Sequence, residues 1–208
     1  MERKLKKPNK RSVLLGSYGS LLFVFAVGIS CVFMITDKLE SARMHAENVR
    51  ALSWVHAVLP DIDAGIGTAD IIDVVDPIRL GTRRPASVYE AMRDKQLVAS
   101  AMKWTVENAY NGAIELALAA KRDGTIVGLA VLAQNETRGF GDVIASSESN
   151  WIQSFQGRSL QNPLRELWQL RTNGGEIDGL SGATITANAV VNGVAKALQY
   201  LESREAER

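Results

Sequence analysis

The sequence predicts an α+β protein: one N-terminal transmembrane helix, then an extracytoplasmic domain with an antiparallel-rich sheet and terminal helices. Three observations carry this expectation. Val13 to Ile35 runs for 23 residues without a charge, directly behind a basic cluster. From Ser87 onward apolar residues recur with a period of two, punctuated by short turn signals. From about Thr186 the chain returns to a helical period that holds to Glu202.

The N-terminal elements follow from charge and length. The chain has 208 residues, enough for one membrane anchor and one domain with a core. Its net charge of +1 is unevenly spread: residues 1–36 hold six basic residues against Glu2, which leaves the remainder at −4. A mildly acidic main domain argues against nucleic acid as a partner. Residues 1–12 read as a basic cytoplasmic tail and 13–35 as the membrane span. As a helix that run is about 34 Å long at roughly 1.5 Å per residue, against a bilayer core of roughly 30 Å. The positive-inside rule keeps the tail in the cytoplasm and places everything from Thr36 onward across the membrane. In a bacterium this means the inner membrane and a periplasmic domain. A cleaved signal peptide fits less well, because the run is too long and lacks a clear small-x-small site. Gly28-Ile29-Ser30-Cys31 has a trace of a lipoprotein processing site, but Val32 to Ile35 carry the apolar run past it. Cys31 is the only cysteine, which excludes an internal disulfide and a cysteine-ligated cluster. His45 and His56, the only histidines, lack metal-site spacing.

The remaining elements follow in chain order. Residues 36–86 form a helix and a connecting segment, and 87–208 the main domain. Asp37 to Leu59 carries a helical stripe that includes Met44, Leu52, Val55 and Val58, and Pro60 ends it. Trp54 on this helix reads as an interface or subunit contact. Asp61 to Thr68 is a Gly/Asp loop, and Ile71 to Val75 a short strand closed by Asp76-Pro77. Ser87–Arg93 and Leu97–Val106 read as strands. After the Asn111-Gly112 turn, Ile114, Leu116, Leu118 and Ala120 alternate with more polar or smaller neighbours. Asp123-Gly124 marks a tight hairpin before a further strand, Ile126–Leu132. A glycine-containing loop spans Gln134–Asp142, Trp151–Phe155 is a short amphipathic segment, and Leu164–Leu170 reads equally as helix or strand. In the final helix Val190, Val194, Ala197, Leu198 and Leu201 form the buried face. Trp104, Trp151 and Trp168 read as large core residues rather than stacking platforms.

Two loops stand out chemically. Asp178-Gly179-Leu180-Ser181-Gly182-Ala183-Thr184 is a small-residue turn that opens directly into the last helix. Free N–H groups and the helix dipole at such a start favour an anion such as a phosphate, and Thr184 offers a hydroxyl there. On the residues alone, Ser181, Thr184 or Thr186 serves equally well as a cap for those N–H groups. The second loop, Glu136-Thr137-Arg138-Gly139-Phe140-Gly141-Asp142, directly follows a strand, and taken alone its glycines need only permit a turn.

Together these loops resemble the D-x-x-S/T-G-A-T/S flavinylation site and the E-T-P-G-L-G-D loop of FMN-carrying electron-transfer subunits. Tyr110-Asn111-Gly112-Ala113-Ile114, Asp123 to Gly128 and Trp151 to Gly157 match further stretches of that family in the same order. The resemblance covers roughly residues 105–200 and is to the G subunit of Rnf-type (Rsx) ion-translocating electron-transport complexes. The C subunit of the sodium-translocating NADH:quinone reductase is a related case. Arg138 and Phe140 replace the usual Pro and Leu, and Gln134-Asn135 stands where a His is frequent.

The resemblance implies an FMN joined through a phosphoester to Thr184, with Ser181, Gly182, Ala183, Asp178, Glu136, Thr137 and Gly139 as the surrounding cofactor-binding residues. It implies that Asp178 belongs to the sequence read by a flavin transferase, and that other subunits of the complex exchange electrons with the flavin. No residue need act as acid, base or nucleophile in electron transfer, so the isolated chain is expected to lack turnover. The rival expectation is an anchored assembly or sensor module without flavin. A stand-alone reductase is disfavoured by the lack of a Gly-rich dinucleotide fingerprint.

Overall fold

Alternation along the central strands divides the sheet into two unlike faces, and these faces organise the fold. In the computed structural model the described residues are 34, 36, 38, 52–59, 71–93, 96–146 and 149–207. The chain divides into two compact units, Met1–Val49 and Arg50–Arg208. In the first, Met34, Thr36 and Lys38 are helical and exposed. The expected span 13–35 lies, apart from Met34, outside the described residues, as do His45 and the loop Asp61–Thr68. Among the described residues no helix is long and apolar enough to cross a membrane.

The second unit is an antiparallel meander, β1 (Ile71–Val74), β2 (Ala86–Arg93), β3 (Gln96–Ala109), β4 (Gly112–Lys121) and β5 (Ile126–Ala133), arranged in chain order. Helical residues 52–58 (α1) precede it. A one-turn helix, α2 (Pro77–Leu80), links β1 to β2, and a long helix, α3 (Thr184–Ala206), closes the chain. The segment between β5 and α3 is built from short 3-10 turns at Gly141–Ala145, Ile152–Phe155, Arg165–Leu167 and Arg171–Asn173.

One face of the sheet carries large side chains. Met102, Trp104, Ile114, Leu116, Leu118 and Ile126 pack against the Val190, Val194, Ala197 and Leu198 stripe of α3. The other face is lined by Ala91, Ala99, Ala101, Ala117 and Ala119, and these small residues let α1 lie close with Trp54, Val55 and Val58 buried. Gly128 completes that approach, since a Cβ there would collide with the Val58 carbonyl oxygen. Burial is the main driving term on both faces, at roughly 25 cal/mol per Å² of apolar surface. An ion pair, Arg204 Nε to Glu90 at 2.9 Å, ties the C-terminal part of α3 to β2. That carboxylate holds the guanidinium above its ordinary value.

Several details differ from the sequence expectation. Trp54 is buried within its own body, because alanines opposite leave it a slot. Asp76-Pro77 starts a helix rather than merely closing a strand: the Asp76 carboxylate accepts from the Arg79 N–H at 2.9 Å, and Pro occupies the first turn. Leu164–Leu170 is neither a full helix nor a strand; a 3-10 turn at Arg165–Leu167 is flanked by isolated bridges. Trp104, Trp151 and Trp168 are core residues as expected, at 1%, 8% and 3% exposure. The indoles of Trp151 and Trp168 donate to the carbonyls of Asp178 and Ser159, and Phe155 lies between them, edge-on to Trp151 and tilted to Trp168.

Candidate functional site

The last helix starts at Thr184, two residues before the apolar period becomes visible in the sequence. Ala183 is the N-cap and provides no side-chain hydrogen bond, so neither Ser181 nor Thr184 caps the helix. The first intrahelical bond runs from the Ala187 N–H to the Ala183 carbonyl at 2.9 Å. The N–H groups of Thr184, Ile185 and Thr186 therefore have no acceptor within the helix. Thr184 stands at the first helical position and is exposed. Three open donors, a dipole over 23 residues and a free hydroxyl make this end fit for a negatively charged group.

Gly182 shapes the approach. Its φ of 75° is left-handed, and a Cβ there would lie 2.8 Å from Cδ1 of Phe140. Phe140 belongs to the Glu136–Asp142 loop, so the two motif loops touch although more than forty residues separate them. Thr186 reinforces the contact: its Oγ1 donates to Oε2 of Glu136 at 2.6 Å, and both residues are buried. Oε1 of Glu136 accepts from the Asn111 N–H at 2.9 Å, which brings in the β3–β4 turn. Asn111 also donates from its side chain to the Asn135 carbonyl at 2.6 Å.

These three segments enclose a cleft of about 480 Å³. Tyr110, Glu136, Thr137, Phe140 and Gly141 form one side, and residues 182–186 form the other. Tyr110 and Phe140 are exposed at 65% and 54%, which leaves two aromatic walls available to a flat apolar ligand. A helix start open to a phosphate, a close-approach glycine and an aromatic wall suit a phosphorylated, planar cofactor such as FMN.

Of the site residues expected from sequence, Thr184, Gly182, Ala183, Glu136 and Thr137 line this cleft. Ser181 is exposed beside it and does not line it. Gly139 supplies a left-handed turn, φ 76°, in the loop and also lies off the lining. Asp178 is exposed at the entrance to the turn, where its carboxylate pairs with Arg171 Nε at 2.6 Å. Tyr110, Phe140 and Thr186 join the site only through the fold. The Tyr110-Asn111-Gly112 turn is the available sequence signal for the first of these, but nothing local brings it to the cleft.

Comparison with known proteins narrows the class. Residues 109–199 match the family model of the FMN-binding domain, which spans all three cleft-forming segments. The chain is 34% identical over 188 residues to the G subunit of an ion-translocating oxidoreductase complex from Vibrio cholerae serotype O1, covering 90% of each chain. A protein of the same description from Shewanella piezotolerans is 32% identical over 198 residues, covering 94% of this chain and 92% of the relative. One from Salmonella typhi is 33% identical over 194 residues, covering 91% and 92%. The chain belongs to the family formed by the G subunits of ion-translocating oxidoreductase complexes.

Proposed function

We propose that this protein is the membrane-anchored flavin subunit of an ion-translocating oxidoreductase complex, with FMN held by a phosphoester to Thr184. The observation that carries the reading is the exposed Thr184 hydroxyl at the start of α3, inside a cleft walled by the Glu136–Gly141 loop. The chain relays electrons between neighbouring subunits on the periplasmic face, while the complex moves sodium ions or protons. Its single N-terminal span, residues 13–35, keeps the N-terminus cytoplasmic.

The chain's own residues do the holding. The N–H groups at Thr184, Ile185 and Thr186 would hold the phosphodiester charge that remains after attachment, worth about 0.3–1 kcal/mol through the helix dipole. Gly182 leaves room for the backbone to approach, and Tyr110 and Phe140 offer apolar walls to the ring. The bound flavin supplies the one-electron chemistry, and the protein sets its position and solvent access. In maturation the Thr184 hydroxyl would accept the FMN phosphoryl group from FAD, with AMP as the leaving group and the hydroxyl proton released. Asp178, which is exposed and outside the cleft, belongs in this reading to the sequence recognised by the flavin transferase that catalyses this step. Covalent attachment suits a compartment where a lost cofactor is not readily replaced.

The test is flavin fluorescence of the protein band in a denaturing gel after co-expression with a flavin transferase. Wild type is expected to fluoresce and Thr184→Val to be dark. An exported wild type that stays dark beside a fluorescent control would instead favour an anchored assembly or sensor module.

A further inference from the structure

Glu136 is the most tightly held polar group in the cleft. It is 8% exposed, and both carboxylate oxygens are engaged, by the Asn111 N–H at 2.9 Å and by Thr186 Oγ1 at 2.6 Å. Gly141 leaves no space behind it, since a Cβ there would lie 2.5 Å from Oε2. One side chain thus ties the β3–β4 turn, the cleft loop and the first turn of α3 together. Both donors are uncharged, and among the described residues no ion pair reaches Glu136.

A neutral glutamine could satisfy the same geometry. Its oxygen would accept from Asn111, and its amide would donate to the Thr186 hydroxyl, which rotates freely to accept. A carboxylate held only by neutral donors costs more to bury than that amide does. The charge itself therefore calls for a role beyond bracing. Resting on the flavin reading above, we propose that Glu136 is a positioning residue whose fixed negative charge lowers the reduction potential of the flavin in this cleft. Each electron that the ring accepts from its reductant adds one negative charge until a solvent proton follows. A buried carboxylate in the same wall opposes that addition, and the low local dielectric strengthens its effect.

The experiment uses the full-length chain co-expressed with the transferase and extracted in detergent, as wild type, Glu136→Gln and Thr186→Ser. Covalent flavin is read by in-gel fluorescence, ring mobility by fluorescence anisotropy, and potential by dithionite titration. Glu136→Gln is expected to retain flavin and anisotropy but to shift the reduction equilibrium by about tenfold towards the reduced form, a rise of about 59 mV per one-electron step. Thr186→Ser keeps the hydroxyl donor and the charge but removes a methyl group, so its potential should stay near wild type. An unchanged potential in flavinated Glu136→Gln overturns the proposal. So does an equal rise in Thr186→Ser, which assigns the shift to loosened packing. Loss of attachment in Glu136→Gln alone overturns it by moving the residue's role to attachment. A dark wild type is a separate result, and removes the flavin reading together with this proposal.

Discussion

Two clefts lie along α3 and share Ile185, yet their chemistry is opposite. The larger, about 840 Å³, is lined by amides such as Asn173, Asn188, Asn192 and Gln199 with the exposed cations Arg165 and Lys196. The smaller, about 480 Å³, holds Thr184 at the helix start, Gly182 in a left-handed turn and a buried carboxylate. Size alone would choose the larger one. Among the described residues, the features that suit a phosphate group converge on the smaller, because the α3 N-terminus and its hydroxyl open into it. What distinguishes the two is the direction in which the helix presents its unpaired N–H groups.

This contrast is open to direct attack by substitution. The largest effect is expected for Thr184→Val, which removes the hydroxyl proposed to form the ester and should abolish covalent flavin in a denaturing gel. Next comes Gly182→Val. The substitution forces a β-branched residue into positive φ and against Phe140, at a cost of about 1–3 kcal/mol. It should lower both the thermal midpoint and the fraction of protein that carries flavin, measured by the absorbance ratio of flavin to protein. Gly193→Val is the matching change below the larger cleft, where a Cβ would lie 2.5 Å from Val106 Cγ2. Overpacking there should destabilise by about 1–3 kcal/mol in denaturant unfolding, with flavin per folded protein unchanged. The smallest effect is expected for Lys196→Gln, an exposed position in the larger cleft. Stability should move by less than about 0.5 kcal/mol, and flavin content not at all. Loss of flavin in either of these last two would erase the distinction between the clefts.

Much of the sheet was legible in the sequence, and for a physical reason. Leu116 and Leu118 face α3 while Ala117 and Ala119 face α1, so the strict alternation of β4 records two different neighbours. The hairpin turns at Asn111-Gly112 and Asp123-Gly124 fixed where strands ended. The packing of α1 was harder to read, because Trp54 looks like an interface residue until the alanine face opposite is known. Pro77 read as a breaker, whereas the Asp76 cap converts it into a helix start. The segment between β5 and α3 carries no usable period, since 3-10 turns and isolated bridges repeat too briefly to leave one.

The site itself was half legible. Thr184 and its small neighbours are a local motif, and local motifs survive in sequence. The contacts Phe140 to Gly182 and Glu136 to Thr186 join segments far apart in the chain, so no spacing rule reveals them. The helix start was displaced by two residues because Thr184 and Ile185 precede the buried stripe. That shift matters, since it puts Thr184 itself at the first helical position, where its hydroxyl is left free.

Peptide mass spectrometry of the exported, transferase-matured protein tests the central claim most directly. A peptide containing Thr184 is expected to carry the mass of FMN less one water, with fragmentation placing the increment on Thr184. An unmodified Thr184 peptide at full recovery, or the increment on Ser181 or Thr186 instead, would contradict it.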